Sequence, residues 1–178
     1  MNGTKIVLIG TDNSGKSTLA KNLSSLWGNY KGGLEIVNPL GPKPLSKQLD
    51  HMNNCLLQAG NKVIDRLPLF EEEVCGPIFR KESSFKYVPT CYKALYLSKI
   101  DYVIFCDPGM DAITNWGSRK QMSGVKENID KLYQGYQSLI SELEVYFGDR
   151  LMTYNYTRDN LGIGLRMIYN KIRGGKHK

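Results

Sequence analysis

Residues 10–17 read Gly-Thr-Asp-Asn-Ser-Gly-Lys-Ser and match G-x-x-x-x-G-K-[ST] at every fixed position. Each position has a chemical task. Gly10 and Gly15 let the backbone bend so that Thr11, Asn13, Ser14 and Thr18 can present amides to a phosphate. Lys16 brings a cation to the β- and γ-phosphates of a triphosphate, and the Ser17 hydroxyl can ligate Mg²⁺. A helix beginning at Lys16 adds the partial positive charge of its N-terminus. The expected cofactors are ATP and Mg²⁺.

A second charged group opens the segment "DRLPLFEEEVCGPIFRK", with 48 residues between Lys16 and its first aspartate. Asp65 ends a short apolar run, where a carboxylate can orient a Mg²⁺-bound water, itself ligate the cation, or take a proton from a hydroxyl. A strand-end ion pair is the plainer use of the same residue. Arg66 carries a planar fork that matches phosphate oxygens and would clamp a phosphate on the acceptor. Asp12, inside the glycine loop, is the other carboxylate placed to act as a base, and the choice between Asp12 and Asp65 stays open.

GTP-driven switches and motors open with the same loop. "NKVID" has one residue too many for the guanine-reading N-K-x-D element, and the D-x-x-G from Asp159 to Gly162 comes far too late. A motor normally needs a larger chain. A small kinase is the class that remains.

These groups need a scaffold. "KIVLIG" at 5–10 is a β-rich run ended by glycine; 34–38, 61–66, 101–107 and 151–155 are four further strand candidates. Apolar spacing predicts helices over 16–26, 46–59 and 92–99. From Val125 onward, Ile129, Leu132, Tyr136, Leu139, Leu143 and Phe147 form one long stripe, and Leu161, Leu165, Ile168 and Ile172 mark a closing helix. Strands alternating with helices imply parallel pairing and right-handed crossovers. The expected architecture is a single α/β domain over 1–178, a P-loop NTPase fold with a five-stranded parallel sheet and helices on both faces.

Composition narrows the partners. No apolar run approaches the roughly 20 residues needed to cross a bilayer. No secretory leader is expected before the first strand. Cys55, Cys75, Cys91 and Cys106 form no C-x-x-C pair, so reduced, mostly buried thiols in a cytoplasmic protein are expected. The net charge is +7, and over 151–178 six Lys and Arg face one Asp. That excess points to a polyanion as partner. "FRKESSFKYVPTCYK" interleaves Phe79, Phe85, Tyr87 and Tyr92 with Arg80, Lys81, Lys86 and Lys93. Aromatic faces there could stack on bases while cations track the backbone. The plain alternative puts the aromatics in the core and leaves the lysines solvated.

Taken together, the loop and the "DRLP" segment resemble the thymidylate-kinase-like kinases, above all the short ones encoded by bacteriophages. Those kinases run D-R-x-P into V-Y-G-P; here Asp65, Arg66, Pro68, Val74, Cys75, Gly76 and Pro77 stand in those places. "FCDPG" is similar to their strand ending in C-x-P-P. Arg119, Gln121, Met122, Gly124, Val125, Asn128 and Tyr136 follow their R-x-Q-M-x-G-V-x-x-N…Y segment. The resemblance covers most of the chain. It implies that Arg119, assisted by Lys120, belongs to a lid over about 117–126 that closes on the transferring phosphate. It also implies that Thr157, Arg158 and Asp159 lie where the family contacts adenine, and that Asp12 faces the acceptor. The chain departs from the family at Ile9, where thymidylate kinases carry glutamate, and at Leu67, which replaces their D-R-Y tyrosine. Fewer lid arginines are present. The short stretch before Asp65 removes the place where helices would enclose a free mononucleotide.

The phage group includes kinases that phosphorylate the hydroxymethyl group of 5-hydroxymethyldeoxyuridine within DNA. That acceptor is the leading expectation, with Arg66, Arg80, Lys81 and Lys86 on the nucleic acid and an extruded nucleotide in the site. The host cytoplasm would then be its setting. The rival is a deoxynucleoside monophosphate kinase making diphosphates, in which Arg66 and Arg119 hold two phosphates and no base is needed. A third reading is a catalytically idle, ATP-dependent DNA-binding module. Monomer and homodimer both stay open.

Overall fold

The computed structural model describes residues 3–28, 32–115, 123–159 and 161–174. Its sheet has five strands, β1 (Lys5–Ile9), β2 (Glu35–Val37), β3 (Lys62–Asp65), β4 (Tyr102–Cys106) and β5 (Leu151–Tyr154). They run in the order β2-β3-β1-β4-β5, and every pairing is parallel. All five expected strands are present, and the expected parallel sheet is the one observed.

The period-two geometry of a strand explains the two cores. Val7 and Ile9 of β1, Ile64 of β3, and Val103 and Phe105 of β4 point to one face. Ile6, Leu8, Val63, Tyr102, Ile104 and Cys106 point to the other. Both faces are covered, so β1 and β4 are buried along their whole length, as a continuous apolar run implies. The first face packs against α2 (Leu45–Leu56), α3 (Pro68–Arg80), α4 (Thr90–Ser98) and α6 (Ile129–Phe147). The second packs against α1 (Lys16–Trp27) and α7 (Leu161–Gly174), where Trp27 and Tyr169 meet edge to face at 5.5 Å. The six apolar positions that mark the stripe of α6 are all buried. Leu57, inside the helix expected over 46–59, lies beyond the end of α2 and is exposed.

Two helices carry no clear periodic signal. α3 holds Pro68 at its first position, where the missing N–H costs nothing, and tolerates Pro77 on its outer side. α5 (Met110–Thr114) is a single turn after Pro108-Gly109. The cysteines are free thiols; Cys55 and Cys106 are buried, whereas Cys91 is exposed. No helix among the described residues is long and apolar enough to cross a membrane.

From β1 the chain goes to β2 and β3 on one side, then crosses to β4 and β5 on the other. The strand order thus reverses at β1. In open parallel sheets, the crevice beyond the strand C-termini at such a point is where ligands bind. Gly10, Asp65, Asp107 and Asn155 all leave the sheet on that edge.

Candidate active site

Gly10 turns the chain out of β1 with φ +138°, and a Cβ there would sit 2.6 Å from the Cys106 carbonyl oxygen. Only glycine lets the loop lie this close to the end of β4. Gly15 has φ +86°, and its Cβ would meet the Tyr156 ring at 2.8 Å. Between them Asn13 takes φ +64°, a left-handed conformation that asparagine tolerates. Its Nδ2 donates to the carbonyls of Ala112 at 3.0 Å and Asn115 at 3.1 Å, which pins the loop to the end of α5. Lys16 is buried under its own loop, donating to the Thr11 carbonyl and, at 3.0 Å, to Ser14 Oγ. Burial pushes its pKa down to about 8, and the Arg66 charge acts in the same direction. The opposite charge of a phosphate arriving in the loop would raise it again.

Ser17 Oγ donates to Asp65 Oδ2 at 2.6 Å, so the two expected Mg²⁺ ligands are brought together. Asp65 is buried, and its other oxygen, Oδ1, has no hydrogen-bond partner. An orphaned carboxylate oxygen beside a hydroxyl fits Mg²⁺. This ion is usually held by one or two protein ligands, substrate phosphates and several waters. Among the described residues no group of three or more His, Cys, Asp or Glu could hold a metal alone. A cation here would depend on the oxygens of the triphosphate.

Arg66 follows directly, in a left-handed conformation with φ +67°. That costs about 1 kcal/mol or more in a residue with a Cβ, and it aims the side chain back towards the loop. Its guanidinium donates to Asp12 Oδ1 and, at 3.5 Å, to Glu71 Oε2. Glu71 in turn accepts from the Tyr136 hydroxyl at 2.5 Å. Burial alone would lower the pKa of Arg66, but Glu71 and Asp12 more than reverse this. Burial and Glu71 hold Tyr136 well above its usual range, so its hydroxyl stays a donor. The chain Asp12–Arg66–Glu71–Tyr136 ties the phosphate loop to α3 and α6.

Beside Arg66 opens a pocket of about 570 Å³ between the 39–42 loop, α2 and α3. Leu40, Pro42, Phe79 and Val125 give it apolar walls, and Gln48, Glu72 and Arg80 a polar end. Apolar walls with a few placed polar groups are the usual make-up of a small-ligand site. The Pro-Gly loop and α2, in the short stretch before Asp65, supply part of its wall. Glu72, only 6% exposed, accepts from Arg80 Nη2 at 2.6 Å, Gln48 Nε2 at 3.1 Å and the Ser84 amide at 3.2 Å. Burial works to raise its pKa, but the hydrogen bonds from Ser84 and Arg80 carry it below the usual value.

The interleaved aromatic and basic stretch does not form one surface. Phe85 is fully buried in the core, Phe79 borders the pocket, and Tyr87 and Tyr92 face solvent. The cations are locally engaged: Arg80 with Glu72, Lys86 with Glu82 at 3.0 Å, Lys93 with Glu73 at 3.2 Å. Lys81 ends α3 with φ +70° and is exposed. Arg158 is exposed on the turn after β5, beside Thr157, whose Oγ1 donates to the Pro108 carbonyl at 3.3 Å. Asp159 closes that turn by accepting from the Asn155 amide. Arg119 and Lys120, with most of the expected lid, lie outside the described residues.

Several site residues carry no signal that sequence reading could weigh. Tyr156 covers Gly15 and reaches the Asn13 carbonyl at 3.4 Å; an aromatic directly after the last strand is its only trace. Asp107 accepts from Tyr133 and Gln137, both at 3.0 Å, and so ties the end of β4 to α6. Gln48 reads as one polar residue among many on α2. Glu71 and Glu72 belong to an acidic run in which nothing marks the inward pair.

No protein-family model matches the chain, and no curated protein matches it in sequence. Solved structures do match. The Bacillus subtilis YorR protein, in complex with phosphorylated GDP, is 18% identical with a TM-score of 0.73, covering 98% of this chain and 99% of that one. Deoxyadenosine kinase from M. mycoides, with dCMP and dCDP, is 19% identical at TM-score 0.62, covering 96% and 99%. Thymidylate kinase from Candida albicans is 15% identical at TM-score 0.59, covering 98% and 93%. At such identities the likeness establishes the fold: this is the P-loop architecture found in nucleotide kinases.

Proposed function

We propose that the chain is a kinase transferring the terminal phosphoryl group of ATP to a deoxynucleotide seated in the pocket beside Arg66. One observation carries this reading. Arg66 touches the phosphate loop through Asp12 and also lines the pocket, so a single cation stands between donor and acceptor. The loop amides and Lys16 would hold the β- and γ-phosphates. Ser17 and Asp65 would hold Mg²⁺, which when bound neutralises charge on the triphosphate. The remaining N–H donors of Arg66 would take the acceptor phosphate, and Arg119 completes the charge balance in this reading.

A free deoxynucleoside monophosphate is the favoured acceptor. Its phosphate oxygen is already anionic, so no general base is required. That agrees with Asp12 being paired to Arg66 and Asp65 to Ser17. A hydroxymethyl group within DNA would need a base, and three of the cations expected to track DNA, Arg80, Lys86 and Lys93, are engaged in ion pairs.

The test is direct. The protein is incubated with γ-labelled ATP and Mg²⁺ and offered thymidine monophosphate, hydroxymethyldeoxyuridine monophosphate, and DNA containing hydroxymethyluracil. Label on a free monophosphate is expected. Label on DNA alone overturns the acceptor assignment, and no label on any of them overturns the kinase reading in favour of an idle nucleotide-dependent binder.

A further inference from the structure

The helices on the two faces of the sheet differ in charge. α3 holds Glu71, Glu72 and Glu73, and α6 holds Asp130, Glu142 and Glu144. α1 and α7, which cover the other face, contain no Asp or Glu. Their exposed cations are Lys21, Arg166, Lys171 and Arg173. Among the described residues, Lys21, Arg166 and Lys171 take part in no ion pair. Arg173 donates to the Tyr169 hydroxyl at 3.4 Å and lies over that ring at 5.8 Å, which holds it on the flank of α7. Lys171 and Arg173 sit in the last turn, where cations favour the helix dipole, but Arg166 is too far from that end to gain from it. Without acidic neighbours on these helices, the positive field of this face is not cancelled locally.

α7 also presents a shaped surface. Leu165, Ile168, Tyr169 and Ile172 pack inward. The opposite side stands in solvent, with Ile163 62% and Met167 67% exposed beside Asn170 and Gly174. At about 100° per residue, Asn170, Ile163 and Met167 span a crest of roughly 60°. Arg166 and Arg173 flank one rim of it and Lys171 the other, each roughly 40–60° beyond. A partner with phosphates on two walls and a floor of mixed polar and apolar edges matches this pattern. The major groove of B-form DNA is such a partner: it is about 12 Å wide and admits a helix about 10–12 Å across. An anionic lipid surface calls for a broad apolar crest, whereas here Asn170 and Gly174 interrupt it and two large apolar side chains remain. The deep, narrow major groove of duplex RNA does not admit the helix.

We infer that the outer face of α7 docks on double-stranded DNA, with Arg166, Lys171 and Arg173 on phosphates of both walls and the Ile163–Met167–Asn170 crest towards the major groove. This surface and the pocket beside Arg66 lie on opposite faces of the sheet. The DNA is therefore a docking partner and not the acceptor, and the inference holds or fails independently of the acceptor reading.

The full chain is titrated into a fluorescein-labelled DNA duplex, its single strand, an RNA duplex of the same sequence, and phosphatidylserine vesicles, over a range of salt. We expect a duplex-DNA dissociation constant on the order of 10⁻⁶ M or tighter below physiological salt, with a log–log salt slope of about −3. Arg166→Gln combined with Lys171→Gln should bring the slope to about −1 and weaken binding at least tenfold, with thermal unfolding and any phosphate transfer unchanged. Met167→Glu should weaken duplex binding at least tenfold through the crest. Lys86→Gln combined with Lys93→Gln, on the acidic side of the molecule, should bind as the wild type does. No binding to duplex DNA at low salt overturns the inference, as does tighter binding to the single strand, the RNA or the vesicles. Wild-type affinity in either folded α7 variant, or a loss confined to the Lys86 and Lys93 variant, overturns it too.

Discussion

Lys16 lies at the point where two demands on one side chain conflict. In the proposed role its ammonium must be charged to hold phosphates, yet it is buried beneath the loop with Arg66 nearby, and its pKa falls to about 8. Protonation of the free protein is therefore lost as the pH rises through about 8, whereas a bound triphosphate favours the charged form. We expect triphosphate affinity to be flat below about pH 7 and to weaken above pH 8 by up to about tenfold per unit. Titration calorimetry across that window checks it; a pH-independent affinity would refute the role given to Lys16. The stability sign is opposite to that of a salt-bridged lysine. The unfolded chain binds the proton more tightly between about pH 8 and the ordinary lysine range, so this group's destabilising effect fades as pH rises through that window. Arg66 is the second such residue. Arg66→Lys keeps the charge but loses the planar fork that meets Asp12 and Glu71 together. Steady-state kinetics should show a kcat loss on the order of 10²-fold.

At the scale of elements, α3 does the positioning. It starts at Pro68, carries Glu71 towards Arg66 and Glu72 into the pocket, and ends at Arg80, which returns to Glu72. The segment after it must come back tightly, because Ser83 and Ser84 pack on the helix they have just left. Gly76 makes this possible: a Cβ there would fall 2.5 Å from Ser83 Cα, against backbone that cannot swing aside. Gly76→Ala should destabilise the fold by about 1–3 kcal/mol, seen as a lower denaturant midpoint with an unchanged slope. Acceptor KM should rise in the same variant, since the Ser84 amide holds Glu72. Sequence spacing does not reveal this helix, because two prolines and a glycine interrupt any apolar period. It forms because Pro68 suits a first turn and the buried positions Leu69, Phe70 and Val74 join the core below β1.

Across the whole molecule, the phosphate loop and the pocket proposed for the acceptor meet on one edge of the sheet. Asp12 belongs to the loop, Arg66 to the end of β3, and Tyr136 to α6, and Glu71 links the last two. A triphosphate that repositions Asp12 must shift the charge around Arg66, so occupancy of one site should alter affinity at the other. We expect the wild-type protein to bind acceptor about fivefold or more tightly in the presence of a non-hydrolysable triphosphate. In Asp12→Asn that coupling should largely vanish. Calorimetry with and without the analogue measures both, and equal coupling in the two proteins would count against the Asp12–Arg66 link.

The phosphate loop, the five strands and the long stripe of α6 could all be read from residue order. Each is a local pattern, a fixed spacing or a period, and local geometry is enough to produce it. The pairing of Asp65 with Ser17 followed almost as directly, since a strand end and a loop on its neighbour are bound to face one another. Other features depended on contacts between residues far apart in the chain. Phe85 is core and Tyr87 surface because of how the segment after α3 folds back, not because of their type. Asp12 is a partner of Arg66 rather than a free base because the left-handed turn at residue 66 brings the guanidinium across. The pocket beside Arg66 is lined by both the 39–42 loop and α3, and the orientation of Gln48 is set by a carboxylate 24 residues away. Spacing along a chain records which chemistry is present; burial and mutual orientation decide which partner each charged group faces.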